Sequence, residues 1–262
     1  MSTLTFALRD SNTMLRRNLL HMRRYPSLTL MLIGIPVILL LLFVYVFGGT
    51  LGAGLGPTGG RAEYANYVTP GILLITVASA AQGTAISVAM DMAEGIIARF
   101  RVMAIFRPSV LTGHVVGSVF QTMVSLAAVT GAALLVGFRP TADAVEWLAA
   151  IGVLTMVTVA VTWLSVALGL VTRSVETASN LPMPLVLLPF LGSGFVPTDS
   201  MPTPVRLFAH YQPFTPVMET LRGLLLGGGI GVNGLLAVAW CAVITVGCFC
   251  WAKALYNRPR TA

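Results

Sequence analysis

The chain has 262 residues, 56% of them hydrophobic and 10% charged, with a formal net charge of +7 at pH 7. A soluble domain carries roughly 25% charged residues, so this composition excludes an ordinary water-soluble globule and fits an all-α polytopic membrane protein. The positive charge falls between apolar runs and forms no stripe, which excludes nucleic acid as a partner.

Residues 1–27 form a basic lead-in. Leu4, Leu8, Leu15, Leu19 and Met22 share a narrow arc at a helical period, with Arg9, Arg16 and Arg23 on the adjacent face. This split predicts an amphipathic helix in the membrane interface, leucines toward acyl chains and arginines toward lipid headgroups. A solvated cytoplasmic helix is the competing reading. Tyr25-Pro26 ends it.

The membrane body, residues 28–262, opens with the uncharged run Leu28 to Phe47. At ~1.5 Å per residue it reaches ~30 Å, the thickness of a bilayer's hydrocarbon core. It reads as a retained span and not a cleaved signal, because its polar lead is long and Gly48-Gly49-Thr50 is not a clear small-x-small site. Gly48 to Asn66 reads as an outer loop. A second span, from about Tyr67 to Met90, carries Ser79, Gln82, Thr84 and Ser87.

Residues 91–108 form a charged inner loop. Asp91 and Glu94 have the spacing of a capping box, which predicts a helix from about Met92 to Phe106. Ile97, Phe100 and Met103 give it an apolar stripe, flanked by Arg99 and Arg101. Such a ridge is suited to docking a cytoplasmic partner, the alternative being an interfacial linker. A third span covers about Leu111 to Val136, and a fourth about Trp147 to Val171. A fifth, interrupted by Pro182, Pro184 and Pro189, ends near Val196, and a sixth runs from about Val232 to Trp251. Residues 197–231 are too polar to span, and Pro204 to His210 and Pro216 to Leu226 each predict a short outer helix.

Six spans put both ends of the chain on one side. The inner segments would hold Arg9, Arg16, Arg17, Arg23, Arg24, Arg99, Arg101, Arg107, Arg173, Lys253, Arg258 and Arg260, against Arg61, Arg139, Arg206 and Arg222 outside. That asymmetry predicts cytoplasmic N- and C-termini.

The chemistry the chain lacks is as telling. A phosphate-binding loop needs a lysine in a glycine-rich turn, and the single lysine, Lys253, follows Cys250-Trp251-Ala252. This excludes nucleotide hydrolysis on this chain. Every Asp and Glu lies in a loop or at a span end, which disfavours an ion-coupled carrier. Ser193, in Gly192-Ser193-Gly194, has no histidine in the sixth span to activate it and reads as packing. Cys241, Cys248 and Cys250 read as small apolar helix residues, with no metal and no cofactor expected.

Three stretches together resemble a type-2 ATP-binding-cassette (ABC) permease, closest to the daunorubicin-resistance exporter branch. They are Glu94-Gly95-Ile96-Ile97-x-Arg99-Phe100-Arg101 with Met103, Gly194-Phe195-Val196-Pro197 with Met201-Pro202, and Gln212-Pro213-Phe214-Thr215-Pro216 with Leu221-Arg222-Gly223. The resemblance implies two permease halves, identical or paralogous, in a bacterial inner membrane. It implies two cytoplasmic ATPase subunits that carry the ATP and magnesium. Asp91 to Phe106 would be the coupling helix, engaging through Asp91, Glu94, Ile97, Arg99, Phe100, Arg101 and Met103. The second and fifth spans would line the path, suggesting Ser79, Gln82, Ser87, Phe190 and Phe195. The implied cargo is a hydrophobic or amphiphilic drug, antibiotic or lipid. A polysaccharide or glycolipid exporter, an ion-coupled carrier and a non-transporting scaffold are the alternatives.

Overall fold

The computed structural model describes residues 26–55, 60–94, 107–172 and 174–257, and the described residues contain helices and no strand. The lead-in at 3–25, the docking stripe at Ile97, Arg99, Phe100, Arg101 and Met103, and the terminal Arg258 and Arg260 lie outside them.

The first apolar run forms α1 (Pro26–Leu41), continues through a π-helical stretch (Leu42–Phe47) and ends in α2 (Gly48–Ala53). The helix thus extends beyond Phe47, where glycines had predicted a loop. Glycine is tolerated in membrane helices, and here it permits a tight return. Gly48 faces the Arg61 stem, and Gly52 lies directly against the Gly60 backbone. The chain then enters α3 (Arg61–Ala93), the longest helix and the central one. Neighbouring elements cover it on all sides near its middle, where the consecutive residues Ile72, Leu73, Leu74 and Ile75 are all buried.

The next helices are α4 (Arg107–Val136) and α5 (Ala144–Val171). Gly169 of α5 sits where an added Cβ would lie 2.7 Å from the Ala85 carbonyl oxygen of α3. A small residue there lets two helix backbones approach closely. Gly169→Ala should therefore destabilise the fold by about 1–3 kcal/mol, the usual cost of overpacking. Detergent-solubilised protein should melt lower, whereas Gly152→Ala, which meets nothing within 4 Å, should melt unchanged.

The fifth predicted span is not one continuous helix. Its residues form α6 (Val175–Asn180), α7 (Met183–Leu187) and a series of turns to Val196. Pro182, Pro184 and Pro189 lack the amide donors that a continuous helix requires. A 3-10 turn (Thr198–Ser200) and two short helices follow, α8 (Thr203–Tyr211) and α9 (Phe214–Leu226), close to the predicted pair. The last helix is α10 (Gly231–Asn257).

Among the described residues, five stretches are long and apolar enough to cross a membrane: Leu30–Ala53, Arg61–Ala93, Leu111–Val136, Ala144–Val171 and Gly231–Tyr256. Two apolar clusters hold the bundle. The larger joins Leu40 and Val44, Tyr64 to Ile75 of α3, Leu154 and Val161 of α5, and Met218 and Leu221 of α9. The smaller lies toward the Glu94 end and joins Val88, Leu111, Val115, Trp163, Val166 and Tyr256. Trp163 meets Phe249 edge-on at 5.0 Å, pinning α5 to α10. The outward faces of the first apolar run and of α10 present Leu30, Ile38, Val46, Leu235, Val243 and Val246. Apolar exposure on this scale is what a hydrocarbon solvent covers.

Among the described residues a capping box forms at a place other than Asp91. Asp143 accepts from the Glu146 amide at 2.7 Å, Glu146 accepts from the Asp143 amide at 2.9 Å, and α5 starts there. Asp91 and Glu94 share that spacing, yet Asp91 lies inside α3 and Glu94 is its C-terminal cap, its amide bonded to the Met90 carbonyl. The difference is what comes before. Gly137 at φ 126° and Pro140 break the chain ahead of Asp143, leaving first-turn amides to satisfy. Asp91 follows a helix unbroken from Arg61, whose carbonyls already serve those amides.

Candidate functional site

The irregular backbone from Leu188 to Pro197 runs through the interior between helices. Buried carbonyls with no helical partner carry a penalty of several kcal/mol each in an apolar medium, so each needs a donor. The Leu188 carbonyl has a turn partner in the Leu191 amide at 3.1 Å, and side chains from α3, α9 and the turn before α9 supply the further donors. Gln212 Nε2 donates to the Leu188 carbonyl at 3.0 Å, and Thr215 Oγ1 lies 3.2 Å from the same amide nitrogen. Arg222 Nη2 donates to the Ser193 carbonyl at 2.8 Å and to the Tyr67 carbonyl at 3.3 Å. The Tyr64 hydroxyl donates to the Phe195 carbonyl at 3.2 Å. Thus Gln212 ties the broken segment to the turn before α9, while Arg222 and Tyr64 fasten it to α3.

Arg222 is the hub. Its Nη1 pairs with Glu219 one helical turn earlier, and its guanidinium stacks over the Tyr67 ring at 3.9 Å. A planar guanidinium can serve two carbonyls, a carboxylate and a ring face at once, which a lysine cannot. Close packing completes the arrangement. A Cβ on Gly71 would lie 2.8 Å from the Gly194 oxygen, and one on Gly194 would lie 2.9 Å from the Met218 sulfur. The glycines around Ser193 are therefore packing residues, as the sequence suggests.

At the other end of the segment, Gln82 Nε2 donates to the Ser179 carbonyl at 2.6 Å. Tyr64 and Gln82 stand roughly 27 Å apart along α3 at ~1.5 Å per residue. The broken segment therefore runs almost the whole depth of the bundle.

The path residues suggested by sequence divide into two groups. Ser79, Gln82 and Ser87 lie on the less buried side of α3, with Ser87 exposed and Ser79 and Gln82 half-buried. Phe190 and Phe195 belong to an aromatic group in which Phe195 is buried and Phe190 half-buried, the two rings stacked at 4.5 Å, with Phe43 of the π-helical stretch 4.5 Å from Phe195. The structure does not bring the two groups together. A small cavity lined only by apolar surface lies between α5, α7, α9 and α10, among Val161, Leu164, Leu188, Phe214, Trp240 and Cys241. None of the five path residues lines it.

Among the suggested coupling residues, Asp91 and Glu94 are described, and both stand at the end of α3. Asp91 Oδ2 lies 3.0 Å from His114 Nε2 of α4. No cluster of metal ligands occurs among the described residues.

This arrangement, long apolar helices around a fastened, broken segment, can be set beside known proteins. Residues 10–226 match the ABC-2 type transporter family. The chain belongs to that family. This ABC-2 chain is 29% identical over 217 residues to the daunorubicin resistance ABC transporter permease protein DrrB1 of Streptomyces coeruleorubidus, covering 82% of this chain and 74% of the relative. It is 24% identical over 191 residues to the probable doxorubicin resistance ABC transporter permease protein DrrC of Mycobacterium tuberculosis, covering 72% and 69%. Both relatives are named as permease proteins of ABC transporters. The ABC-2 match ends at Leu226, where α9 ends, and thus includes every fastener of the broken segment.

Proposed function

We propose that this chain is the membrane subunit of an ATP-driven exporter that moves a hydrophobic or amphiphilic drug, antibiotic or lipid out of the cell. ATP hydrolysis occurs on a separate cytoplasmic ATPase, present in two copies. A second permease, identical or paralogous, completes the path. The observation that carries this reading is the family match from residue 10 to 226. The relatives' names supply daunorubicin as the first cargo to try.

In this reading residues 1–27 lie in the inner interface and residues 28–262 form the permease. The broken segment counts as the fifth of six crossings, since it runs the depth that α3 runs. Residues 91–108 carry the coupling loop, with Ile97, Phe100 and Met103 as its ridge and Arg99 and Arg101 at its flanks. ATP binding closes the ATPase pair and moves this loop. The permease pair then switches between inward- and outward-facing states as rigid bodies. Ser79, Gln82 and Ser87 offer cargo hydroxyl and amide contacts without fixed charge.

Co-purification followed by mass spectrometry should identify an ABC ATPase bound to the chain. Daunorubicin efflux by that complex should stop on ATP depletion. Efflux that survives ATP depletion but collapses with the proton gradient would instead mark an ion-coupled carrier. Orientation is checked separately. With the native cysteines replaced, S2C and T261C should both resist an impermeant maleimide in intact cells and react after lysis. Reaction of either in intact cells would overturn the six-crossing topology.

A further inference from the structure

The pair Asp91–His114 is not accounted for by packing. Asp91 is 7% exposed and His114 is 8% exposed, and Asp91 Oδ2 lies 3.0 Å from His114 Nε2, within ion-pair distance though not aligned as a hydrogen bond. Around them lies the smaller apolar cluster, with Val88 of α3, Leu111 and Val115 of α4, Leu170 of α5 and Tyr256 of α10. A buried polar pair at such a place is weak support for stability, because desolvation offsets most of its attraction. Its best-attested use is to fix register, since sliding either helix separates two polar groups and sets them against apolar neighbours.

The position of the pair gives the register a purpose. Asp91 lies in the last turn of α3, and His114 is two turns into α4. These two helices are the ones that flank residues 95–106. A second tie, Thr84 Oγ1 to Ser118 Oγ at 2.8 Å, joins the same helices further in. Two polar ties at different depths resist both sliding and rotation. We infer that Asp91 and His114 are positioning residues that lock α3 to α4, so that a displacement of residues 95–106 moves both helices as one body. This rests on the coupling reading of that segment and adds to it the means of transmission.

The test is a distance that should not change. Met90 and Val116 are exposed and lie next to the pair on α3 and α4. Spin labels on M90C and V116C, with the native cysteines replaced, are measured in the full complex with its co-purifying ATPase. In the parent protein the distance should differ by less than about 1.5 Å, one residue's rise, between nucleotide-free and vanadate-trapped states. In D91A, and equally in H114A, the two states should differ by about 3 Å or more. The double variant should be no worse than either single, as expected for groups acting on each other. A merely structural pair would alter yield or melting without making the distance depend on nucleotide. Where D91A fails to assemble, D91N keeps the shape and should show a smaller dependence of the same kind.

A parent distance that changes with nucleotide overturns the lock. So does a distance in D91A, or in D91N where that stands in, that stays fixed. The coupling reading is scored in parallel by F100D. If ATP hydrolysis still responds to cargo there, the docking role of Phe100 falls while the distances judge the lock. If no ATPase co-purifies with the parent, the coupling reading falls and the inference falls with it.

Discussion

Arg222→Leu is expected to be the most damaging single substitution in the described structure. It removes the donor to the Ser193 and Tyr67 carbonyls and leaves Glu219 without its cation. Each buried carbonyl left without a donor costs about 1–3 kcal/mol. The Glu219 side chain is 31% exposed, so water can serve it, and the ion pair itself contributes little. Tyr67 lies inside α3 and its carbonyl keeps its helical amide donor, so the sum is about 2–4 kcal/mol, from the orphaned Ser193 carbonyl and the lost stacking on the Tyr67 ring. Melting of the detergent-solubilised protein should fall by about 5–15 °C. The variant series separates the causes. Glu219→Gln keeps a side-chain acceptor and should lose far less. Arg222→Lys should fall between, because an ammonium cannot span both carbonyls and stack on Tyr67. Cleavage by an added protease should increase first between Leu188 and Pro197, where the fastened carbonyls lie. Melting of Arg222→Leu at the parent temperature would mean that the broken segment is held by packing alone.

How much of this was legible in the sequence depends on the range of the interaction. Local apolar length identifies five long spans and the two short helices before the last one, because each is set by hydrophobicity and proline position within a few residues. The fifth span reads as apolar in composition, and the break becomes visible only when the proline amides are counted as absent donors. The roles of Gln212 and Arg222 are harder to read. Their partners are Leu188, Ser193 and Tyr67, up to 155 positions away. A usable signal existed: polar side chains in a re-entrant, largely apolar stretch must find partners, and unpaired carbonyls nearby are natural ones. Phe195 shows the same limit, since its ring neighbour Phe43 comes from the π-helical stretch of the first apolar run. The Asp-x-x-Glu spacing occurs at 91 and at 143, and a cap forms only where the chain ahead is not already helical. The spacing alone therefore cannot decide a cap; the residues before it do.

Phe100→Asp is expected to abolish cargo-stimulated ATP hydrolysis while leaving membrane insertion intact. Phe100 lies between α3 and α4, outside both, so no span loses an apolar residue. It is the central side chain of the Ile97, Phe100, Met103 stripe. Aromatic anchors at the centre of an interface carry a disproportionate share of its free energy, and losing one costs about 2 kcal/mol or more. A carboxylate adds a desolvation cost wherever the partner surface is apolar. At 1.4 kcal/mol per tenfold, the coupled state should be depleted by about 30-fold or more. Stimulation by daunorubicin, measured as the ratio of hydrolysis with and without drug in the reconstituted complex, should therefore fall to near unity. Phe100→Leu keeps an apolar knob and should retain a substantial part of the ratio, which separates lost docking from lost folding. Arg99→Ala and Arg101→Ala should act more weakly and in a salt-dependent way, since flanking charges steer association more than they hold it. Full stimulation in Phe100→Asp would move the docking ridge elsewhere, and the loop between α3 and α4 would then be a linker.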